Sequence, residues 1–108
     1  MISNELIEHL SEEVICEVER AKEEHEEFFS SNHEAYAVLK EEIEETLVEI
    51  DNIMTVLDKI WESVKLDSNI SGLASRMQKT ALLCAAELIQ VSGVCEKIIR
   101  TEEIKDEC

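Results

Sequence analysis

Three glutamates, Glu42, Glu45 and Glu87, stand at positions that helical periodicity assigns to the interior of the protein. With successive residues roughly 100° apart on a helix, Glu87 lies inside an apolar stripe, close to Leu83 and Val91. A buried carboxylate without a partner is costly or takes up a proton, so such a side chain usually contacts a cation or a metal ion. Glu87 is therefore the first candidate for chemistry.

A second apolar face contains Glu42, Glu45 and Glu49 together with residues such as Val38 and Ile53. Because Glu42 and Glu45 are three residues apart, their side chains are neighbours on a helix. A Glu-x-x-Glu pair that faces a third carboxylate on an adjacent helix forms a cage of hard oxygen ligands suited to Mg²⁺ or Mn²⁺. The spacing thus predicts a metal site built from one carboxylate pair and Glu87.

Two interpretations of these glutamates that involve no metal site stay open from the sequence alone. The chain contains several Glu-x-x-Glu pairs, which glutamate-rich helices produce by chance. Glu87 can also have a lysine or arginine as its partner, or its helix can have a different phase from the ideal wheel. The distinction depends on what surrounds Glu87 in the folded chain.

The composition limits the partners of such a site. The 108 residues include 26 Asp and Glu but only 10 Lys and Arg, so the formal net charge is −16. This charge disfavours nucleic acid and anionic membranes as partners, because phosphate neutralisation needs clustered basic residues. A phosphate-bearing substrate requires a divalent cation between the anions. With no proline, two glycines and 44% hydrophobic residues, the chain is suited neither to turn-rich sheets nor to disorder.

Long helices must position the glutamates. Apolar residues recur at helical spacing over about 4–29, 32–65 and 73–103, and a capping box, Ser31-x-x-Glu34, opens the second helix. Short connections between long helices favour antiparallel neighbours. The expected fold is a single all-α domain, 1–108, in which three long antiparallel helices form a bundle.

The second helix has an apolar stripe typical of a surface that faces partner helices; its residues are Leu39, Ile43, Leu47, Ile50, Met54, Leu57, Trp61 and Val64. One chain alone leaves much of this surface exposed. We therefore expect a homodimer or a higher homo-oligomer to complete the bundle.

The cysteines and the N-terminus favour a cytoplasmic protein. The first residues contain no basic and apolar segments of a signal peptide, and no apolar run approaches the roughly 20 residues that span a bilayer. Cys16, Cys84, Cys95 and Cys108 have no Cys-x-x-Cys spacing, so reduced thiols are favoured over a disulfide framework. Cys84 and Cys95 are expected to be small core residues.

Two segments of the chain resemble the MazG-like nucleotide pyrophosphohydrolases, in particular their small phage-type members. They are Ser31 to Glu45, SNHEAYAVLKEEIEE, and Ala85 to Val91, AAELIQV. The family signature is Glu-Glu-x-x-Glu on one helix and Glu-x-x-Asp on the next. The resemblance implies an all-α fold and Mg²⁺-dependent hydrolysis of a nucleoside triphosphate to the monophosphate and pyrophosphate by a dimer or tetramer.

Matched to this signature, Glu42 and Glu45 correspond to the first carboxylate pair and Glu87 to the first residue of the second. The fourth metal-ligand position falls on Gln90, where the family pattern has aspartate. Glutamine offers a carbonyl oxygen but no charge, so the resemblance implies weakened or absent catalysis here. Either Glu45 or Glu49 is the candidate general base.

The resemblance also suggests substrate contacts for His33 and Tyr36, although a histidine in the first turn of a helix is commonly just solvated. The competing hypothesis is a non-enzymatic helical assembly protein of phage origin, whose acidic surface binds a basic partner. The retained glutamates favour the hydrolase, and Gln90 favours the assembly protein.

Overall fold

The computed structural model describes residues 2–107, and these contain three α-helices and no strand. We number the helices α1 (Asn4–Ala21), α2 (Asn32–Lys65) and α3 (Ser71–Glu107). The all-α prediction is confirmed, and the helices pack against one another as a bundle with α3 in contact with both others. Cys108, one of the four cysteines of the sequence, lies outside the described residues.

Local capping accounts for the bounds of α2. The Ser31 hydroxyl accepts a hydrogen bond of 3.0 Å from the Glu34 backbone N–H, as the capping box predicts. The Glu34 carboxylate reaches back to Ser30, accepting from its hydroxyl at 2.9 Å. At the other end, Asp67 has a φ of 52°, and this left-handed residue turns the chain after Lys65.

The first helix is shorter than predicted, because it ends at Ala21 and not near Phe29. Residues 22–31 form turns and bends that bring Phe29 under α3. The buried Phe29 N–H donates to the Thr101 hydroxyl at 3.1 Å, and the Lys97 ammonium lies 4.3 Å from the centre of the Phe29 ring. This tertiary contact outweighs the helical periodicity of the segment.

The third helix is longer than predicted, since it spans Ser71–Glu107 rather than about 73–103. At its start, the Asn69 side-chain oxygen accepts a hydrogen bond of 2.7 Å from the Ser71 N–H. Near its end, Lys105 and Glu102 form an ion pair of 3.1 Å at helical spacing. Local polar contacts therefore extend both ends beyond the apolar stripe.

α2 and α3 form a long antiparallel hairpin. They are joined by the short loop 66–70, and the chain just before α2 meets Thr101 near the far end of α3. Val56 on α2 is 1% exposed, and Cys84 on α3 is buried as predicted. Cys95, by contrast, is exposed, so its assignment to the core was wrong. Helical spacing assigns Cys84 and Cys95 to the same apolar face of α3, but only part of the width of that face is buried.

The face of α2 that meets α3 is not the apolar stripe identified in the sequence. α3 covers the flanking face, which contains Ala35, Thr46 and Val56. We define the outer stripe of α2 as the part of this apolar stripe that remains exposed. Trp61, for example, is 58% exposed. The residues of the outer stripe are Ile43, Leu47, Ile50, Met54, Leu57, Trp61 and Val64. The main apolar surface of α2 therefore lies to one side of its contact with α3 and remains exposed.

α1 packs against a different face of α3 from the one that meets α2. Val18 packs beside Gly93, where a Cβ would lie 3.6 Å from the Val18 Cγ2 atom. An ion pair of 3.0 Å joins Glu19 to Arg100. Among the described residues, α1 makes no comparable contact with α2. None of the described helices has the length and apolar content needed to cross a membrane.

Replacement of Thr101 by valine should destabilise the protein. The change removes the hydroxyl that accepts the Phe29 N–H and leaves this buried donor unpaired, at a cost of about 1–3 kcal/mol. Urea unfolding followed by circular dichroism measures the loss. Thr55→Val is the matched control, because the exposed Thr55 hydroxyl donates only to the Asp51 carbonyl of its own helix. Equal losses in the two variants would contradict the proposed role of the Phe29 contact.

Candidate metal centre

The three glutamates singled out from the sequence lie together between α2 and α3. One carboxylate oxygen from each of Glu42, Glu45 and Glu87 lies within 4.8 Å of the others. Glu42 and Glu87 are half-buried, and Glu45 is exposed. They meet because one turn of α2, which carries the Glu-x-x-Glu pair, lies opposite the middle of α3 in the antiparallel hairpin. We refer to these three residues as the glutamate cluster.

The cluster is electrostatically unfavourable when all three carboxylates are charged. Burial raises the pKa of Glu42, and the charges of Glu45, Glu87 and Glu41 raise it further. Burial likewise raises the pKa of Glu87, with additional contributions from Glu45, by charge and hydrogen bond, and from Glu49. A divalent cation placed among these oxygens would neutralise this repulsion.

In the part of the chain that the structure describes, no basic side chain supplies that neutralisation. Within residues 2–107, no ion pair joins a lysine or arginine to any member of the glutamate cluster. The nearby exposed Glu44, which is not in the cluster, does pair with Lys40 at 3.7 Å. The basic-partner interpretation of Glu87 therefore has no support in the fold. The donor set of three carboxylates on two helices suits Mg²⁺ or Mn²⁺.

Glu49, a candidate general base, lies one helical turn beyond Glu45 and is half-buried on the same face of α2. Its charge contributes to the raised pKa of Glu87, so it is near the cluster without belonging to the close group of three. This placement leaves both Glu45 and Glu49 available to accept a proton. The choice between them stays a prediction.

Gln90, the predicted fourth ligand, has its amide directed towards α1. Its Nε2 donates a hydrogen bond of 2.8 Å to a Glu17 carboxylate oxygen. The same oxygen accepts from the Arg20 guanidinium at 2.9 Å. Both hydrogen bonds hold the pKa of Glu17 below its usual value, and the bond from Arg20 has the larger effect. Only the side-chain carbonyl oxygen of Gln90 is then left as a metal donor, and its role as a ligand stays a prediction.

Sequence reasoning missed Glu17. Glu17 is one of many glutamates in α1, and the only local signal was its spacing of three residues from Arg20. That signal is common in this chain, where several Glu and Lys or Arg residues are similarly spaced. The contact with Gln90 spans 73 residues and depends on how α1 crosses α3.

A cleft of about 480 Å³ adjoins the cluster and lies between α1, residues 22–31 and the hairpin. Glu42 and Gln90 form part of its wall, so the cluster and the cleft are continuous. Val38, Val94 and Phe29 give the wall an apolar part, and the positively charged side chains that line it are Arg20, Lys22 and Lys97. Six glutamates, Glu42 among them, also line the cleft, and Arg20 and Lys22 are ion-paired with glutamates. The cleft therefore combines an apolar surface, one edge of the glutamate cluster and the Lys97 ammonium.

The predicted histidine and tyrosine sites lie elsewhere. His33 and Tyr36 occupy the first turns of α2, where both are exposed, and neither lines the cleft. His25, which falls within the first helix as predicted over about 4–29, lies instead in the turn segment and lines the cleft. Contact between His33 or Tyr36 and a substrate stays a prediction.

No known protein family, curated protein or solved structure matches this chain.

Replacement of Glu87 by glutamine should stabilise the metal-free protein at neutral pH. Because the fold raises the pKa of Glu87 above 4.5, ionisation of this group destabilises the native state as pH rises above that value. At pH 7 without divalent ions, Glu87→Gln should melt a few degrees higher than the wild type, and the difference should vanish below pH 4.5.

Glu44→Gln is the matched control for this experiment, since Glu44 is an exposed residue of the same helix that pairs with Lys40. This variant should show no such gain. Identical melting temperatures of wild type and Glu87→Gln at pH 7 would show that the cluster is not under electrostatic strain.

Proposed function

We propose that the chain is a MazG-like nucleotide pyrophosphohydrolase that uses Mg²⁺ or Mn²⁺ to convert a nucleoside triphosphate to its monophosphate and pyrophosphate. The observation that carries the proposal is the meeting of Glu42, Glu45 and Glu87, none of which pairs with a lysine or arginine among residues 2–107. The resemblance of the segments around these residues to the family signature adds the reaction type. The cleft beside the cluster supports a small-molecule substrate over a macromolecule.

The glutamate cluster would hold the metal ions, with the Gln90 carbonyl as a further neutral donor. Bound there, a divalent ion supplies charge neutralisation and Lewis acidity at the phosphates. Glu45 or Glu49 accepts a proton from the attacking water. The water oxygen forms a bond to the α-phosphorus, the bond from that phosphorus to the bridging oxygen breaks, and pyrophosphate leaves with the electron pair.

The cleft would hold the rest of the nucleotide. Its apolar wall, which includes Val38 and Val94, suits the sugar and base, and Lys97 would supply positive charge for phosphate oxygens, joined by Arg20 where a phosphate displaces its Glu17 partner. Such cations matter in a chain with a net charge of −16, which otherwise repels a triphosphate. Lys97 is also held against the Phe29 ring, which limits its freedom before a ligand binds.

We place this activity in the cytoplasm. Cys16, Cys84 and Cys95 are all free thiols in the structure, and a reducing compartment keeps such thiols free. The phage-type members of the family, which the chain resembles, would act on the nucleotide pool of the same compartment.

A non-enzymatic assembly protein is the second candidate. It is favoured by Gln90, which engages Glu17, and by the exposed outer stripe of α2, a surface suited to other helices. In this case the glutamate cluster would be a remnant of a metal site, and the cleft would have no substrate.

Pyrophosphate release from canonical and modified deoxynucleoside triphosphates, with Mg²⁺ or Mn²⁺, separates the two candidates. We expect turnover by the wild type and a loss of at least about 100-fold in Glu87→Gln, because a direct metal ligand is removed. Glu44→Gln, which leaves the cluster intact, should retain activity. No turnover with any substrate, together with no metal-dependent rise in the wild-type melting temperature, would favour the assembly protein.

Replacement of Gln90 by aspartate tests the fourth ligand position. The change adds the charge that the family pattern has there, and we expect Mn²⁺ affinity to rise roughly tenfold in calorimetric titrations. Gln90→Ala, which also loses the hydrogen bond to Glu17 but adds no charge, is the control. Equal affinities of the two variants would remove position 90 from the metal site.

A further inference from the structure

The α2–α3 hairpin has two broad sides, and α1 covers only one of them. Val18 of α1 meets α3 at Gly93, on the side away from the outer stripe of α2. α3 has an exposed stripe of its own, which is made mainly of small residues: Ala81, Ala85, Leu88, Ser92, Cys95 and Ile99. We call this the small stripe of α3. Neither stripe contains a charged residue.

Both stripes have the spacing of a coiled-coil seam. From Ile43 to Val64 the outer stripe alternates steps of four and three residues, and the small stripe does the same from Ala81 to Ile99. This gives a mean period of about 3.5 residues, the repeat with which helices pair along their length. The residues of α2 that α3 covers repeat in the same way, so α2 has one seam that is used within the chain and a second, the outer stripe, that is not.

The two stripes lie on the same side of the hairpin. On α2 the outer stripe is rotated by roughly 100° from the residues that meet α3, and on α3 the small stripe is rotated by roughly 80° from those that meet α2. Viewed along each helix from its N-terminus, the two rotations have the same sense. Because the helices are antiparallel, rotations of the same sense bring both stripes to the same side of the hairpin. Together they form a continuous apolar face, which we call the hairpin face.

The surface area of the chain is too large for a self-sufficient monomer. Its accessible surface is 8136 Å², whereas a compact monomer of 12.3 kDa exposes roughly 6,100 Å². Its radius of gyration is 18.1 Å, against about 13 Å for a compact domain of this length. The excess of about 2,000 Å² per chain, doubled for a pair, falls within the range of obligate homodimer interfaces.

We propose that the hairpin face binds a second copy of this chain, so that two hairpins form a four-helix bundle. The face is complementary to itself: the large side chains of the outer stripe, such as Leu57 and Trp61, require small residues opposite. The small stripe supplies them when α2 of one copy lies on α3 of its partner. The absence of charge from both stripes lets two acidic chains meet while their carboxylates stay in water.

The proposal is independent of the glutamate cluster and of any metal. Glu42 and Glu45 lie on the face of α2 that meets α3, and not on the outer stripe. Association can therefore be measured in metal-free buffer. Its failure and the failure of the hydrolase activity are separate results.

Leu47→Glu and Val48→Glu form a matched pair that tests the hairpin face. The two residues are adjacent on α2 and are 56% and 59% exposed, but only Leu47 belongs to the outer stripe. In sedimentation equilibrium at micromolar concentration, the wild type and Val48→Glu should be dimers. Leu47→Glu should raise the dissociation constant at least about 100-fold, because it would bury a charge in the seam.

Trp61 provides a second readout, since it is the only tryptophan and lies in the outer stripe. Its fluorescence should shift to the blue as the wild type associates and stay red-shifted in Leu47→Glu. If Leu47→Glu fails to fold, the wild type alone is decisive, because the melting temperature of a dimer rises with protein concentration.

A monomeric wild type with red-shifted Trp61 emission would overturn the proposal. So would a wild type that remains monomeric and shifts to the blue only when neutral phosphatidylcholine vesicles are added, because that result would assign the hairpin face to lipid. Equal weakening of the dimer by Leu47→Glu and Val48→Glu would also overturn it, since this would reflect general charge repulsion rather than a seam.

Discussion

The packing of α2 against α3 through the flanking face of α2 is the contact from which the rest of the structure follows. Because α3 meets the face that contains Val56, the Glu-x-x-Glu pair is brought opposite Glu87. The same choice of face leaves the outer stripe on the surface. Had α3 packed on the outer stripe, that apolar surface would be buried within one chain. Glu42 and Glu45 would then be turned away from Glu87. The candidate site and the exposed apolar face thus have one origin.

Much of this arrangement was accessible from the sequence, because it depends on helical periodicity. The all-α fold, the start of α2 at its capping box and the end of α2 near Lys65 follow from local rules. The wheel also selected Glu42, Glu45 and Glu87, which share an orientation with buried apolar residues. What the wheel could not decide was which of two apolar faces α3 covers. That choice depends on how much apolar surface is buried within one chain and how much is left to be buried against a second chain.

The errors lie where long-range contacts outweigh local pattern. α1 ends at Ala21 because burial of Phe29 beneath α3 and its hydrogen bond to Thr101 outweigh continued helix, and the partners are 72 residues apart. Glu17 and Gln90 meet for a similar reason, through the angle at which α1 crosses α3. Periodicity within one helix contains no information about such crossings. The glutamate bias also hid Glu17 among many solvated carboxylates.

The non-helical segment 22–31 forms one wall of the cleft, while the glutamate cluster stands on the two rigid helices of the hairpin. The parts of the molecule that would set the size of a ligand and the parts that would act on it are therefore separable. Insertions, deletions or substitutions in this segment can reshape the cleft without moving a carboxylate. Because the two are separate, ligand specificity can change during evolution while the three glutamates stay in place. Residues 22–31 are therefore the region to vary in a redesign of the cleft.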